Sequence, residues 1–330
     1  MSTGPAPRPP GPVAAEPFRC ATAARDRGDD LAASAPPAVR LLLVEVPGPW
    51  GRAALTESRL DHYVAGRLGE TAAHAGVRVL LVRRPGRTAA SPPAAPRSWA
   101  LADLRPGHEA VAWGTWTDPR ALLEVDLREA VVPSGPQRVA LCCTHARHDV
   151  CCALRGRPVA AALAEAFPAG AGADDPDAPD DWHVWECSHL GGDRFAANVL
   201  LLPTGDLFGA LDPAGAVDVV RRFAAGRTSL AHWRGRYGRS PVAQAALHRT
   251  ALALEEDRRD ALDVVGVEER PGERWTVEVA HVDTAGFEQR YVVHLSAQVS
   301  RPHLLTCAAV TPSRARTFTA EGPPAPVLRG

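Results

Sequence analysis

Four of the seven cysteines lie in two adjacent pairs, Cys142-Cys143 and Cys151-Cys152, and a fifth opens the run Cys187-Ser188-His189-Leu190-Gly191-Gly192-Asp193. Between the pairs stand Thr144-His145-Ala146-Arg147-His148-Asp149-Val150. Thiolate and imidazole donors gathered this way suggest a metal or redox centre. Neighbours on an extended chain point to opposite sides, so one cysteine of each pair is expected to face a common centre. The residue types leave four readings open: an iron–sulfur cluster, a thiol redox pair, a zinc site and plain buried cysteine. Neither the Cys-x2–4-Cys spacing usual for structural zinc nor the Cys-x-x-Cys of dithiol redox proteins occurs, which favours iron–sulfur.

These residues need elements to hold them. Residues 39–46 form an apolar run stopped by Pro47-Gly48-Pro49, which reads as a buried strand. A helical pattern over 53–75, a strand over 77–82, a strand pair over 99–104 and 109–114, and a helix over 118–128 give the order β-α-β-β-β-α. The order recurs from Gln137: a strand to Leu141, the cysteine-bearing loop, a helix over 153–167, a strand over 182–186, a hairpin over 198–211 and a helix over 214–225. The first cysteine cluster thus sits in a loop at the carboxyl end of a strand, the usual place for a site in such a unit. Helix onset near Cys152 adds backbone N–H groups that stabilise a thiolate. Gly191-Gly192 would let backbone approach a bulky group, or serve only as a turn.

Beyond Gly238 a helix over 242–264 and strands over 274–282, 289–297 and 303–309 suggest a smaller module. The expected class is α/β (α+β), divided as a disordered tail 1–17, an N-terminal α/β domain 18–135, a site-bearing domain 136–230 and a C-terminal helix and β-meander module 239–330. The acidic Pro/Gly/Ala stretch 168–181 reads as a solvated loop, which makes a glycosidase acid pair there improbable.

Composition removes other classes. The chain has no lysine, so all 37 cationic side chains are arginine, and Schiff-base, P-loop and protein-kinase chemistry are excluded. A net charge of −1 gives no footprint for nucleic acid or anionic membrane, and no apolar stretch is long enough to span a bilayer. A cytoplasmic protein with reduced thiols is expected, its cysteines serving a metal or catalysis rather than disulfides.

The segment Cys143-Thr144-His145 through Asp149 to Cys152, then Gly156-Arg157-Pro158, and Trp185-Glu186-Cys187-Ser188-His189-Leu190-Gly191-Gly192-Asp193-Arg194-Phe195-Ala196-Ala197-Asn198 resembles the sucrase/ferredoxin-like family. The Cys20 region and the run Leu43 to Trp50 resemble its N-terminal part, so the likeness spans about residues 18 to 210. It implies a thioredoxin-like ferredoxin domain holding one [2Fe-2S] cluster, an electron-transfer role with a redox protein as partner, and no sugar hydrolysis. Carried over by position, the ligands are Cys143, Cys152 and His189, while the family's second histidine is replaced here by Asp193. Carboxylate is a hard partner for cluster iron, so the soft Cys187, two residues before His189, is the favoured fourth donor and Asp193 the competitor. The alternatives are a thiol-dependent oxidoreductase using Cys143 and Cys152, and a zinc-stabilised interaction module.

Simpler roles are expected for the remaining residues. Cys142 and Cys151 read as packing, Cys20 and Cys307 as isolated structural cysteines, His145 and His148 as loop hydrogen-bonders, and Asp149 as a helix cap. Arg147, His148 and Arg194 could donate hydrogen bonds to a cluster or meet an acidic partner.

Overall fold

The structure is a computed structural model that describes residues 17–86, 95–168 and 181–327. The tail expected over 1–17 and the acidic loop expected over 168–181 lie almost wholly outside the described residues. In chain order the elements are α1 (Cys20–Arg27), β1 (Arg40–Glu45), α2 (His62–His74), β2 (Arg78–Arg83), β3 (Arg97–Asp103), β4 (Ala110–Trp116), β5 (Val139–Cys143), α3 (Val150–Ala166), β6 (His183–Cys187), β7 (Val199–Leu202), β8 (Asp206–Phe208), α4 (Pro213–Ala224), β9 (Trp233–Arg236), α5 (Pro241–Ala253), β10 (Leu262–Arg270), β11 (Arg274–Val282), β12 (Glu288–Val299), β13 (Arg316–Ala320) and β14 (Ala325–Pro326). The class is mixed α/β, with a large mixed sheet and a second, antiparallel one.

The large sheet runs β4-β3-β1-β2-β6-β5-β7-β8-β9. Its two halves repeat one pairing scheme. β1 is parallel to β2 and antiparallel to β3, which pairs with β4. β5 is parallel to β6 and antiparallel to β7, which pairs with β8. The halves meet where β2 and β6 pair antiparallel through Val82↔Cys187 and Arg83↔Glu186. The strand order is therefore palindromic about that seam, and the architectural repeat expected from the sequence forms a single continuous sheet.

Alternation along the strands separates the core into layers. Leu42 and Val44 of β1 pack with Val64, Ala65, Leu68 and Ala72 of α2, while Leu41 and Leu43 face the opposite layer with Leu80, Leu141, Leu200 and Tyr237. Ala140 and Cys142 of β5 join Val159, Leu163, Val219 and Phe223 of α3 and α4. The same layer continues through Ala245 and Ala246 of α5 to Val277, Val279, Val293 and Leu295 of the C-terminal sheet. That sheet has the order β10-β11-β12-β13, with β14 on β12, and is attached to the large one by shared apolar packing.

Several expected elements differ from those observed. The helix expected from residue 53 starts at His62, because Asp61 accepts the Val64 N–H at 3.0 Å and caps it there. The helix expected over 118–128 is a 3-10 turn, Pro119–Leu123. α5 ends at Ala253, and the apolar residues beyond it enter β10. The strand expected over 303–309 is irregular chain, folded back on itself through a bridge between His303 and Ser313. α1, β9 and β13 were not expected. α1 is short and lacks a capping side chain, and burial of Cys20, Ala21 and Ala24 holds it.

Candidate metal centre

The site is built from two chain crossings at the carboxyl ends of the parallel pair β5 and β6. Cys143 ends β5 and lies in register with Cys187, which ends β6, and the Thr144 N–H donates to the Cys187 carbonyl at 3.1 Å. The chain then turns, and the Asp149 carboxylate accepts the Cys151 N–H at 2.8 Å as the cap of α3. This fixes Cys152 in the first helical turn, beside unpaired backbone N–H groups. Cys142 and Cys143 face opposite layers, as alternation requires: Cys142 enters the core under α3 and α4, Cys143 the other side.

α3 lies unusually close to β5. A Cβ at Gly156 would stand 2.0 Å from the Cys143 carbonyl oxygen, so only glycine permits the approach that sets the Cys143–Cys152 separation.

The second crossing follows β6. Gly191 and Gly192 have φ of 98° and 72°, and a Cβ at Gly192 would meet Arg234 Nη2 at 2.2 Å. The glycines make room for Pro36 and Arg234 rather than for a bound group. Arg234 is buried and donates to Gly191 O and Asn198 Oδ1, each at 2.8 Å, and to Ser34 O at 2.7 Å. Arg78 donates to the His189 carbonyl and the Tyr237 hydroxyl to the Leu190 carbonyl. Three successive carbonyls of the loop are thus held from outside it. None of Arg78, Arg234 and Tyr237 was foreseen, since nothing local distinguishes these two arginines from the other thirty-five.

The result brings Cys143 Sγ, Cys152 Sγ and a ring nitrogen of His189 within 4.8 Å of one another. His148, His189 and Asp193 form an overlapping group at the same separation. His189 Nδ1 stands 2.9 Å from Asp193 Oδ1, and the Cys152 thiol donates to the same oxygen at 3.2 Å. The His148 ring stacks on that of His189 at 3.7 Å between centroids, and its Nε2 lies 3.6 Å from Asp193 Oδ2. Cys187 is fully buried and belongs to neither group.

Electrostatics sharpen the picture. The contact with Cys152 lowers the Cys143 thiol well below its ordinary range, against the opposing effect of burial and with help from His189. Cys152 is pushed up by the same contact with Cys143. Burial disfavours a His189 cation, but Asp193 and Cys143 outweigh it and raise its pKa to about 9. Burial raises Cys187 well above the ordinary thiol value, so it is a neutral thiol.

Of the neighbouring residues, His145 is a loop hydrogen-bonder as expected, its Nε2 lying 2.7 Å from Gly51 O, whereas His148 faces the site. Arg194 turns away to Asp29 at 3.3 Å, and Arg147 is exposed. Cys20, Cys151 and Cys307, expected to be packing or isolated, converge with Asp149 in a second group at the start of α3. No helix among the described residues is long and apolar enough to cross a membrane.

The fit to a metal group rests on two observations: the gathered soft donors, and His189 Nδ1, which is buried and has no hydrogen-bond partner in aligned geometry. A metal or cluster iron would satisfy that nitrogen. No curated protein and no solved structure matches the chain. A model of the sucrase/ferredoxin-like family matches residues 31–235, more than half of the 330 and including every residue of this centre, so the chain belongs to the sucrase/ferredoxin-like family.

Proposed function

We propose that the protein carries electrons on one [2Fe-2S] cluster held by Cys143, Cys152, His189 and Asp193, in a thioredoxin-like ferredoxin domain. The observation that carries this reading is the convergence of two sulfurs and a ring nitrogen of His189 within 4.8 Å, in a chain of this family. Such a cluster supplies reversible one-electron chemistry.

Softness alone argued for Cys187 as the fourth donor; position argues for Asp193, whose Oδ1 touches both Cys152 Sγ and His189 Nδ1. Cys187 pairs in register with Cys143, fully buried and outside the converging donors. Cys143 and Cys152 supply the sulfur half of the donor set, and the first turn of α3 offsets their charge. His189 and Asp193 close the solvent side, where the His189 side chain is 26% exposed against 4% for Asp193. With Nδ1 turned to Asp193, Nε2 is the atom of His189 free to take up or release a proton. His148 stacks over that ring and restrains its rotation, and the exposed Arg147 offers a positive contact to an acidic redox partner.

A thiol-dependent oxidoreductase is less well supported, because Cys143 and Cys152 are each only 1% exposed and a protein disulfide could not reach them. The deciding experiment is anaerobic purification followed by iron, acid-labile sulfide and zinc analysis with visible absorption. Equimolar iron and sulfide with charge-transfer bands are expected. A colourless protein with neither would sink the proposal, and zinc in their place would make the centre a zinc site.

A further inference from the structure

We propose that Cys20, Cys151 and Cys307, with Asp149, form a second and separate metal site that takes a single zinc-class divalent cation. The four donors come from three distant parts of the chain: the start of α1, the first turn of α3 and its cap, and the irregular segment between β12 and β13. All four ligand atoms lie within 4.8 Å of one another. Cys151 Sγ is 3.3 Å from Cys307 Sγ, which is 3.5 Å from Cys20 Sγ, and Cys20 Sγ is 3.5 Å from Asp149 Oδ2.

Those separations have a physical scale. Thiolates bound at about 2.3 Å around a tetrahedral ion stand about 3.8 Å apart, so a few tenths of an ångström of outward movement would accommodate zinc. Packing alone does not call for this arrangement. Three thiols and a carboxylate gathered at one point are poor apolar filler, and Cys20, Cys151 and Asp149 are at most 2% exposed.

The surroundings also suit a cation held by anionic ligands. The Cys307 N–H donates to Asp149 Oδ2 at 2.6 Å and the Cys20 N–H to Cys307 Sγ at 3.4 Å, and the amino ends of α1 and α3 both point here. Such hydrogen bonds orient the ligands and temper their charge. An ion would join the N-terminal helix to a segment 287 residues away, across the helix whose next residue, Cys152, belongs to the first centre. It would thereby hold the irregular 300–315 segment, which has little regular pairing of its own. This site is independent of which group the first centre holds.

The test uses the full chain, purified anaerobically and analysed for zinc by mass spectrometry, then stripped with a chelator and titrated with Co2+ as a spectroscopic probe. One zinc per chain beyond the contents of the first centre is expected, along with thiolate-to-Co2+ charge-transfer bands. Cys307→Ser should lose that equivalent of zinc and at least tenfold in Co2+ affinity while keeping iron and sulfide. Because a variant could misfold, alkylation mapping on the unaltered protein provides a second readout: Cys20, Cys151 and Cys307 should be protected with metal and labelled together after chelation. Absence of bound zinc together with absence of Co2+ charge transfer would overturn the proposal. So would unchanged zinc content in Cys307→Ser, or a Cys151–Cys307 disulfide in the anaerobic protein.

Discussion

At the scale of single residues, the identity of the fourth donor turns on a contest between softness and position. Cys187 is the softer atom, but it is fully buried, burial raises its thiol well above the ordinary value, and it lies outside the groups of converging donors. Asp193 is the harder one, but it already bridges Cys152 and His189. Asp193→Ala is therefore expected to lower iron and sulfide content several-fold, and Cys187→Ser to leave it near the unaltered value. Asp193→His, which installs the second histidine of the family pattern, should retain the metal. Iron analysis of the three variants checks this, and the reverse ranking would move the fourth ligand to Cys187. Arg234 acts on the same loop from outside. Arg234→Met would strip donors from Gly191 O, Asn198 Oδ1 and Ser34 in a buried setting, at a cost of about 2–5 kcal/mol measured by urea unfolding.

At the scale of elements, the distance between α3 and β5 is the controlling dimension, because each carries one of the two sulfurs. Gly156 sets it. Gly156→Ala would force the helix off the Cys143 carbonyl and is expected to destabilise the fold by about 1–3 kcal/mol, with weaker retention of metal. Gly66 in α2 provides the contrast, since a Cβ there meets nothing within 4 Å. Gly66→Ala should stabilise by up to about 1 kcal/mol through helix propensity alone. Denaturant midpoints of the two variants moving in the same direction would contradict this reading of the packing.

At the scale of the whole molecule, two contacts couple the parts. The seam between the halves of the large sheet has only two residue pairs, and Arg83 strengthens it by donating to Glu186 at 2.7 Å, with Thr144 of the site loop donating to the same carboxylate at 3.0 Å. Arg83→Met would leave Glu186 without its cation, costing on the order of 3 kcal/mol. The C-terminal sheet is tied to α5 by Glu256, which meets Arg258 and, at 2.8 Å, His281 of β11. Burial favours the neutral acid, but Arg258 and His281 prevail and hold Glu256 at about 2, below the ordinary value of 4.5. A depressed carboxyl pKa contributes stability that is complete above the ordinary value and is lost as pH falls from about 4.5 towards about 2. Urea melts at about pH 6 and about pH 3 should show that loss, and Glu256→Gln should reduce the difference between them.

Much of this protein was legible in its order of residues. Apolar runs and turn residues located β1, β2, β5, β6 and β11, because period and punctuation are local properties. That one cysteine of each pair faces the centre, and that Asp149 caps a helix, followed from short-range geometry, whereas the choice of Cys143 and Cys152 came from the family resemblance. The start of α2 and the end of α5 were misjudged where a cap and a competing strand overrode helical periodicity. Tertiary structure alone decided the rest. It joined the two α/β halves into one sheet, placed Arg78, Arg234 and Tyr237 around the His189 loop, set Asp193 against Cys152 and His189, and gathered Cys20, Cys151 and Cys307 at one point. Each of these depends on contacts between residues far apart in the chain, and spacing along a sequence carries no direct record of distance across a fold.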